Sequence, residues 1–393
     1  MESKIKALAL ENFEEVLEIR RHLHQNPELS FEEYETSKYL KSKLSDWGLA
    51  IDETWVETGF TVVIDSGKPG KTVAIRADLD ALPIHEKAEV EYKSKAEGKM
   101  HACGHDVHAS CLMGVAKVLH ETKADWNGKA VLIFQPGEEK LPGGASLMIQ
   151  EGVLEKYQPD LMLAQHVYPE FEAGYVGFKS GTYMASADEI YLTVLGKGGH
   201  GALPHNNIDP IVIAAAIIMD LQTLSSRIAP PTLPTVLSFG KIIGNGATNV
   251  IPSEVRLEGT LRTFNEEWRA IYHQRITEIC ESIAKAHGGT CIVDIRKGYP
   301  FLINDIATTE ASVRFASSYL GEKFVESLEL RMTAEDFAYF SQQVPSCFYR
   351  LGVGNKKLGI DKSVHHPEFQ VDEKALEIGV GLMAYLAIQH LNS

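Results

Sequence analysis

Three apolar runs in the first half of this chain each lead into residues that bind metals or move protons. Thr72-Val-Ala-Ile-Arg76 leads to Asp78-Leu79-Asp80, Ala130-Val-Leu-Ile-Phe134 to Gln135-Pro136-Gly137-Glu138-Glu139, and Leu161-Met-Leu-Ala164 to Gln165-His166. A strand apolar at every position is covered on both faces. Between the first two runs, Leu112, Val115, Val118 and Leu119 fall at helical spacing within 108–120. Strands alternating with helices predict an α/β fold with a mixed, largely parallel sheet sandwiched by helices. Its site belongs at the strands' carboxyl edge.

The flanking segments complete that architecture. The first ~45 residues read as two helices broken at Asn26-Pro27, with Ser30 and Glu33 spaced as a capping box for the second. After residue 186 the grammar changes, because Glu189–Leu195 alternates with period 2, as a half-exposed strand does. A helix from Pro210 to about Ser225 follows, then strands at Thr235–Lys241 and Glu254–Leu261. A helix from Glu266 to about His287 and a strand at Thr290–Arg296 complete the order βαββαβ, the ferredoxin-like arrangement. Beyond Gly298-Tyr299-Pro300 the α/β pattern resumes, with a strand at Cys347–Leu351 and a closing helix from Asp372. The expected organisation is a domain of residues 1–185 and 298–393, interrupted by an α+β domain at 186–297.

Composition narrows the function. A chain of 393 residues exceeds one core, and its net charge of −15 argues against nucleic acid or an anionic membrane surface as partner. The longest apolar run, Ile211 to Met219, is nine residues, whereas a bilayer span needs ~20. No basic-then-apolar export pattern opens the chain, so a cytoplasmic location is expected. The five cysteines are scattered and odd in number, which suits reduced thiols. Only Cys103 lies among other ligand types.

It sits in Met100-His101-Ala102-Cys103-Gly104-His105-Asp106-Val107-His108, three imidazoles, a thiol and a carboxylate in nine residues. Such donors suit a borderline divalent metal. Cys103 or His105 alone reads equally as a buried thiol or a hydrogen-bonded core histidine; their company favours metal. Glu138 and Glu139 alone read equally as a solvated turn, since Pro136-Gly137 is turn chemistry and Lys140 a ready partner. Joined to the cysteine–histidine loop, they read as a ligand (Glu139) and a free general base (Glu138). His166, and the pair His365-His366 before Pro367, are further candidate ligands.

These segments resemble the co-catalytic metallopeptidase family of aminoacylases, N-acyl-amino-acid amidohydrolases, hippurate hydrolases and auxin-conjugate hydrolases. The resemblance runs in order from Arg21-His-Leu-His24 and Asn26-Pro-Glu-Leu29 through Arg76–Pro83, Met100–His108, Gln135–Glu139 and His166-Val-Tyr-Pro169. It continues through Gly198-Gly-His-Gly201, Asn249-Val-Ile-Pro252, Ala334-Glu-Asp-Phe337 and His365-His-Pro367. It implies a zinc-peptidase-like catalytic domain, with the inserted domain as lid. It also implies two divalent ions (Mn, Zn, Co or Ni) held by Cys103, His105, Glu139, His166 and His365. His365 is taken over His366 because the family's ligand stands two positions before the proline. Glu138 matches the general base and Asp80 the supporting aspartate, with Asp78 a weaker candidate. The wider superfamily has histidine and aspartate where this chain has Asp78 and Cys103, which places it in the amidohydrolase branch.

The resemblance further implies that His200 polarises the scissile carbonyl, in its own or a partner's site. Asn249 and Arg262 would contact the substrate carboxylate, although Arg262 on a strand reads equally as a surface residue. The expected substrate is an N-acyl amino acid, and the expected assembly is a homodimer through the lid. A dipeptidase or carboxypeptidase with the same machinery, or a catalytically silent metal-binding protein, are the alternatives.

Overall fold

The computed structural model describes all 393 residues. They divide into two compact units, one of Met1–Tyr183, Ile303–Leu330 and Asp336–Ser393, the other of Met184–Leu302 and Arg331–Glu335. The first unit opens with α1 (Glu2–Glu11) and α2 (Phe13–Gln25), so the segment before Pro27 is two helices broken at Asn12. The capping box does not form at α3 (Tyr34–Asp46), whose N-cap is Glu33 without a side-chain bond. Ser30 Oγ donates instead to Asp80, 2.6 Å away, and Glu33 is buried among other donors. Long-range partners have outcompeted the local ones.

There follow β1 (Ile51–Trp55), β2 (Gly59–Asp65), β3 (Thr72–Asp78), α4 (His105–Glu121), β4 (Lys129–Gln135), β5 (Leu161–Glu172) and β6 (Val176–Phe178). Helix α4 starts three residues before the sequence pattern does, which brings His105 and Asp106 into its first turn.

The second unit holds β7 (Asp188–Leu195), α5 (Pro210–Thr223), β8 (Thr235–Ile243), β9 (Glu254–Thr263), α6 (Glu266–Ala286) and β10 (Thr290–Lys297). The strands form an antiparallel sheet ordered β8-β9-β7-β10. Asp209 caps α5 by accepting from the Ile211 and Val212 N–H groups, and Asn265 caps α6. Alternate residues of β7 (Ile190, Leu192, Val194) meet Ile213, Ile217 and Leu221 of α5 and Tyr272, Ile276 and Cys280 of α6 in one core. A π-helical turn at Leu224–Ile228 prolongs α5. The resulting 19-residue helix is long and apolar enough by composition to cross a membrane, further than the nine-residue run suggested.

Back in the first unit come α7 (Ile306–Leu320), β11 (Val325–Ser327), β12 (Ser346–Gly354) and α8 (Ala375–Leu391). Its sheet runs β1-β2-β4-β3-β5-β12-β6-β11. The four central strands β4, β3, β5 and β12 are parallel; β2 and β6 join them antiparallel on either side, with β1 antiparallel to β2 and β11 parallel to β6 at the edges. This is the mixed, largely parallel sheet flanked by helices that the alternating runs predict. Helices α4 and α8 are buried over nearly their whole length, which is why α8 reads as apolar on every face.

Candidate active site and metal centre

Parallel strands gather their carboxyl ends, so Asp78 at the end of β3 and Asp80 just after it, Glu138 and Glu139 after β4, and His166 within β5 converge. The Cys103–His105 loop joins them from the N-terminus of α4. Gly104 takes φ +83° there, and a Cβ on it would lie 2.6 Å from Val167 Cγ2. Only glycine allows the loop to turn against β5 at that point.

His105 and His166 each have one ring nitrogen hydrogen-bonded and the other turned into the cluster. His105 Nδ1 lies 3.2 Å from Asp80 Oδ1, while its Nε2 is buried without any hydrogen bond. His166 Nδ1 donates to the Val167 carbonyl at 2.8 Å, and its Nε2 faces Cys103 Sγ at 3.5 Å. Glu139 Oε1 lies 3.2 Å from His365 Nε2, yet it too is buried without a hydrogen bond. His365 adopts φ +66°, and its N–H donates to the Ala102 carbonyl at 2.8 Å, which ties it to the cysteine loop. Buried polar atoms are rarely left unsatisfied, so lone pairs orphaned in the same cluster fit a cation better than they fit each other. Donor atoms of Cys103, His105 and His166, of Cys103, Glu139 and His365, and of His105, Glu138 and Glu139 lie within 4.8 Å of one another in each group.

Two buried carboxylates shape the turn that carries the base. Glu33 Oε1 accepts the Gly137 N–H at 2.8 Å, and Asp80 accepts the N–H groups of Glu138 at 3.0 Å and Glu139 at 2.9 Å. Three successive amides are thereby held, and the Glu138 and Glu139 side chains are aimed from a fixed backbone. Asp336 N–H reaches Glu138 Oε1 at 3.4 Å. Asp336 is itself fixed by Arg76 Nη2 at 2.7 Å, by Gln135 Nε2 at 2.8 Å and by the Ala145 N–H at 3.0 Å. A separate buried cluster holds the first turn of α4, where Arg20 Nε and His24 Nδ1 each lie 2.8 Å from Asp106 Oδ2.

The electrostatics call for positive charge. Burial alone would lower the His105 pKa, but Asp78, Asp80 and Glu139 raise it to about 10. The carboxylates that favour a proton there would equally favour a metal cation in its place. Burial raises Asp78, yet His105, His108 and Arg76 outweigh it and hold its carboxyl well below the usual range. Burial together with Glu139 and Glu138 pushes the Cys103 thiol well up, and burial with Arg350 pushes His166 well down, so it stays a neutral donor.

The structure thus brings Cys103, His105, Glu138, Glu139, His166, His365 and Asp80 together in the first unit. His200, Asn249 and Arg262 belong to the second. His200 is exposed on a two-residue strand opposite Val250, and the Asn249 carbonyl accepts the Gly201 N–H at 2.8 Å. The Ala202 N–H donates to His200 Nδ1 at 3.1 Å, so the ring proton sits on Nε2 and points that nitrogen outward as a donor. Arg262 lies elsewhere, on β9 opposite Val236, and burial lowers its pKa. Sequence reasoning left out the supporting roles of Glu33, Arg76, Gln135, Asp336, Arg20 and His24. Arg76 carried the one available signal, a charge inside a strand otherwise apolar on both faces.

Residues 74–389 match the model of peptidase family M20/M25/M40. The chain is 40% identical over 362 residues to the N-acetyl-L-cysteine deacetylase of Bacillus subtilis, covering 92% of this chain and 85% of that one. It is 38% identical over 380 residues to thermostable carboxypeptidase 2 of Saccharolobus solfataricus, covering 96% and 95%. Among solved structures it matches the YXEP protein of Bacillus subtilis, a dinuclear metal binding peptidase from the M20 family. There the TM-score is 0.82 at 31% identity, with 96% of this chain and 98% of that one covered.

Proposed function

We propose, from the premise that the chain belongs to peptidase family M20/M25/M40 and is a metal-dependent hydrolase of amide bonds, that its substrates are N-acyl amino acids. The observation that carries the site assignment is the convergence of donor atoms of Cys103, His105, Glu139, His166 and the more exposed His365 beside the carboxylate of Glu138, with His105 Nε2 and Glu139 Oε1 buried and without a hydrogen bond. Those five residues would hold two divalent ions, as in the dinuclear relative, with Mn²⁺, Zn²⁺, Co²⁺ or Ni²⁺ suited to the mixed donor set. Bound there, the ions supply Lewis-acid polarisation of a carbonyl and lower the pKa of a coordinated water to ~7.

The chain's own residues do the rest. Glu138, steadied by the Asp336 N–H, takes the proton of the attacking water and returns it to the leaving amine. His200 Nε2–H donates to the carbonyl oxygen as charge develops on it. Arg262 and Asn249 receive the amino acid's carboxylate, and the second unit acts as the lid that carries them.

A homodimer through that lid is supported by two features. Strand β8 is a sheet edge with Val236, Ile242 and Ile243 exposed, and α5 exposes Ile211, Val212 and Met219. An unpaired apolar edge beside an apolar helix face is suited to a second copy of itself.

The carboxypeptidase relative favours a second reading, cleavage of C-terminal residues from peptides. Chelated protein, reloaded with Mn²⁺ or Zn²⁺, is to be given N-acetyl, N-benzoyl and indole-acyl amino acids and, separately, dipeptides. Metal-restored amino-acid release from the acyl compounds alone supports the amidohydrolase. Cleavage of dipeptides alone overturns it in favour of the peptidase.

A further inference from the structure

His108 has the look of a metal ligand. One donor atom each from Asp78, His105 and His108 lies within 4.8 Å of the other two, all buried. The hydrogen bonds assign it otherwise. The Val167 N–H donates to His108 Nε2 at 2.9 Å, which uses that nitrogen's lone pair. Nδ1 must then carry the proton, and it donates to Asp78 Oδ1 at 2.6 Å. Asp78 is completed by Arg76 Nη1 on Oδ2 at 2.6 Å. Neither ring nitrogen is left for a cation, and both oxygens of Asp78 are engaged.

The chain Arg76–Asp78–His108 ends on the peptide that matters most to the neighbouring ligand. His166 Nδ1 donates to the carbonyl of the same Val167 whose N–H binds His108, and the two imidazole centroids lie 4.6 Å apart. The Val167 side chain closes over Gly104, between Cys103 and His105. Fixing Val167 therefore fixes both the direction of His166 Nε2 and the floor of the cysteine loop.

We propose that His108 is a positioning residue, a neutral Nδ1–H imidazole that clamps the Val167 peptide to Asp78 and so sets His166 Nε2 toward Cys103. The inference rests on the proposed metal centre, but the tautomer and the metal affinity can be read without any substrate. In the metal-free wild-type protein with ¹⁵N-labelled histidine, long-range ¹H–¹⁵N spectra should show neutral Nδ1–H rings for His166 and His108, of which the His108 one disappears in His108→Gln. An Nε2–H ring there would overturn the assignment.

Zn²⁺ and Mn²⁺ titrations of His108→Ala should keep the wild-type number of ions per chain with affinity weakened by about 10- to 100-fold, the usual effect of losing a ligand's supporting partner. His108→Gln, whose amide can accept from Val167 and donate to Asp78, should recover most of that loss. One ion fewer in both variants would make His108 a ligand, and unchanged affinity in both would remove its positioning role. If His108→Ala does not fold, the glutamine variant and the wild-type spectrum decide alone. Wild-type protein that binds no metal would defeat the proposed function while leaving the tautomer measurement intact.

Discussion

Replacing Glu33 by glutamine should stabilise the metal-free protein at alkaline pH and not at acid pH. Glu33 is fully buried; its Oε1 accepts from the N–H groups of Phe31 at 3.0 Å and Gly137 at 2.8 Å, and its Oε2 from Thr58 Oγ1 at 2.8 Å. Glutamine can keep all three bonds, with Oε1 serving the two amides and Nε2 donating to a rotated Thr58 hydroxyl. Burial, then the charge of Asp80, pushes the Glu33 carboxyl up from 4.5 to about 7. The unfolded chain therefore sheds this proton from pH 4.5 upward, while the folded protein keeps it until about 7. In that window the unfolded state binds fewer protons, so stability falls by about 1.4 kcal/mol per pH unit and levels off above the folded pKa. The ionised group thus costs about 3 kcal/mol at pH 8, and the variant lacks that loss. Urea unfolding in EDTA at pH 5 and pH 8 measures the difference. The variant should match wild type within about 1 kcal/mol at pH 5 and exceed it by about 3 at pH 8. A gap that does not change with pH, or a weaker variant at pH 8, would refute the reasoning.

Glu138→Ala should bind metal as wild type does while turnover drops by about 10²- to 10⁴-fold, the usual contribution of a positioned base. Preserved turnover would place the base elsewhere. Gly104→Ala combines left-handed backbone strain with crowding of Val167 and should destabilise by roughly 2–5 kcal/mol, seen as a lower melting temperature. Met219→Glu with Ile242→Lys puts charge on the exposed face of α5 and edge of β8, and sedimentation velocity should then report a monomer. A wild-type protein that already sediments as a monomer contradicts the dimer.

What the sequence reveals here depends on how far apart the partners lie. The apolar runs at 72–76, 130–134 and 161–164 name the parallel strands because burial on both faces leaves its mark residue by residue. The cysteine–histidine loop is visible because its donors are neighbours in the chain. Ser30 and Glu33 mislead because a three-residue spacing satisfies the local rule, whereas Asp80 and Gly137, 50 and 104 residues away, take their side chains. Arg76 and Asp336 stand 260 residues apart, and nothing in either neighbourhood names the other. His108 is the subtlest case. Its position among ligands is plain from sequence, but its two bonds, to β3 and β5, exist only once those strands are side by side.

The returning segment Arg331–Glu335 bears on how such a protein can be taken apart or recombined. The second unit is not one stretch of gene. Ala185, at its start, donates its N–H to the carbonyls of Arg331 at 3.0 Å and Thr333 at 3.2 Å. A cassette cut at 184 and 302 would leave those partners behind, with an amide unsatisfied in the fragment and a five-residue remnant in the host. Any exchange of this unit between relatives must therefore carry two pieces of sequence at once, and shuffling schemes that move only the longer piece select against themselves.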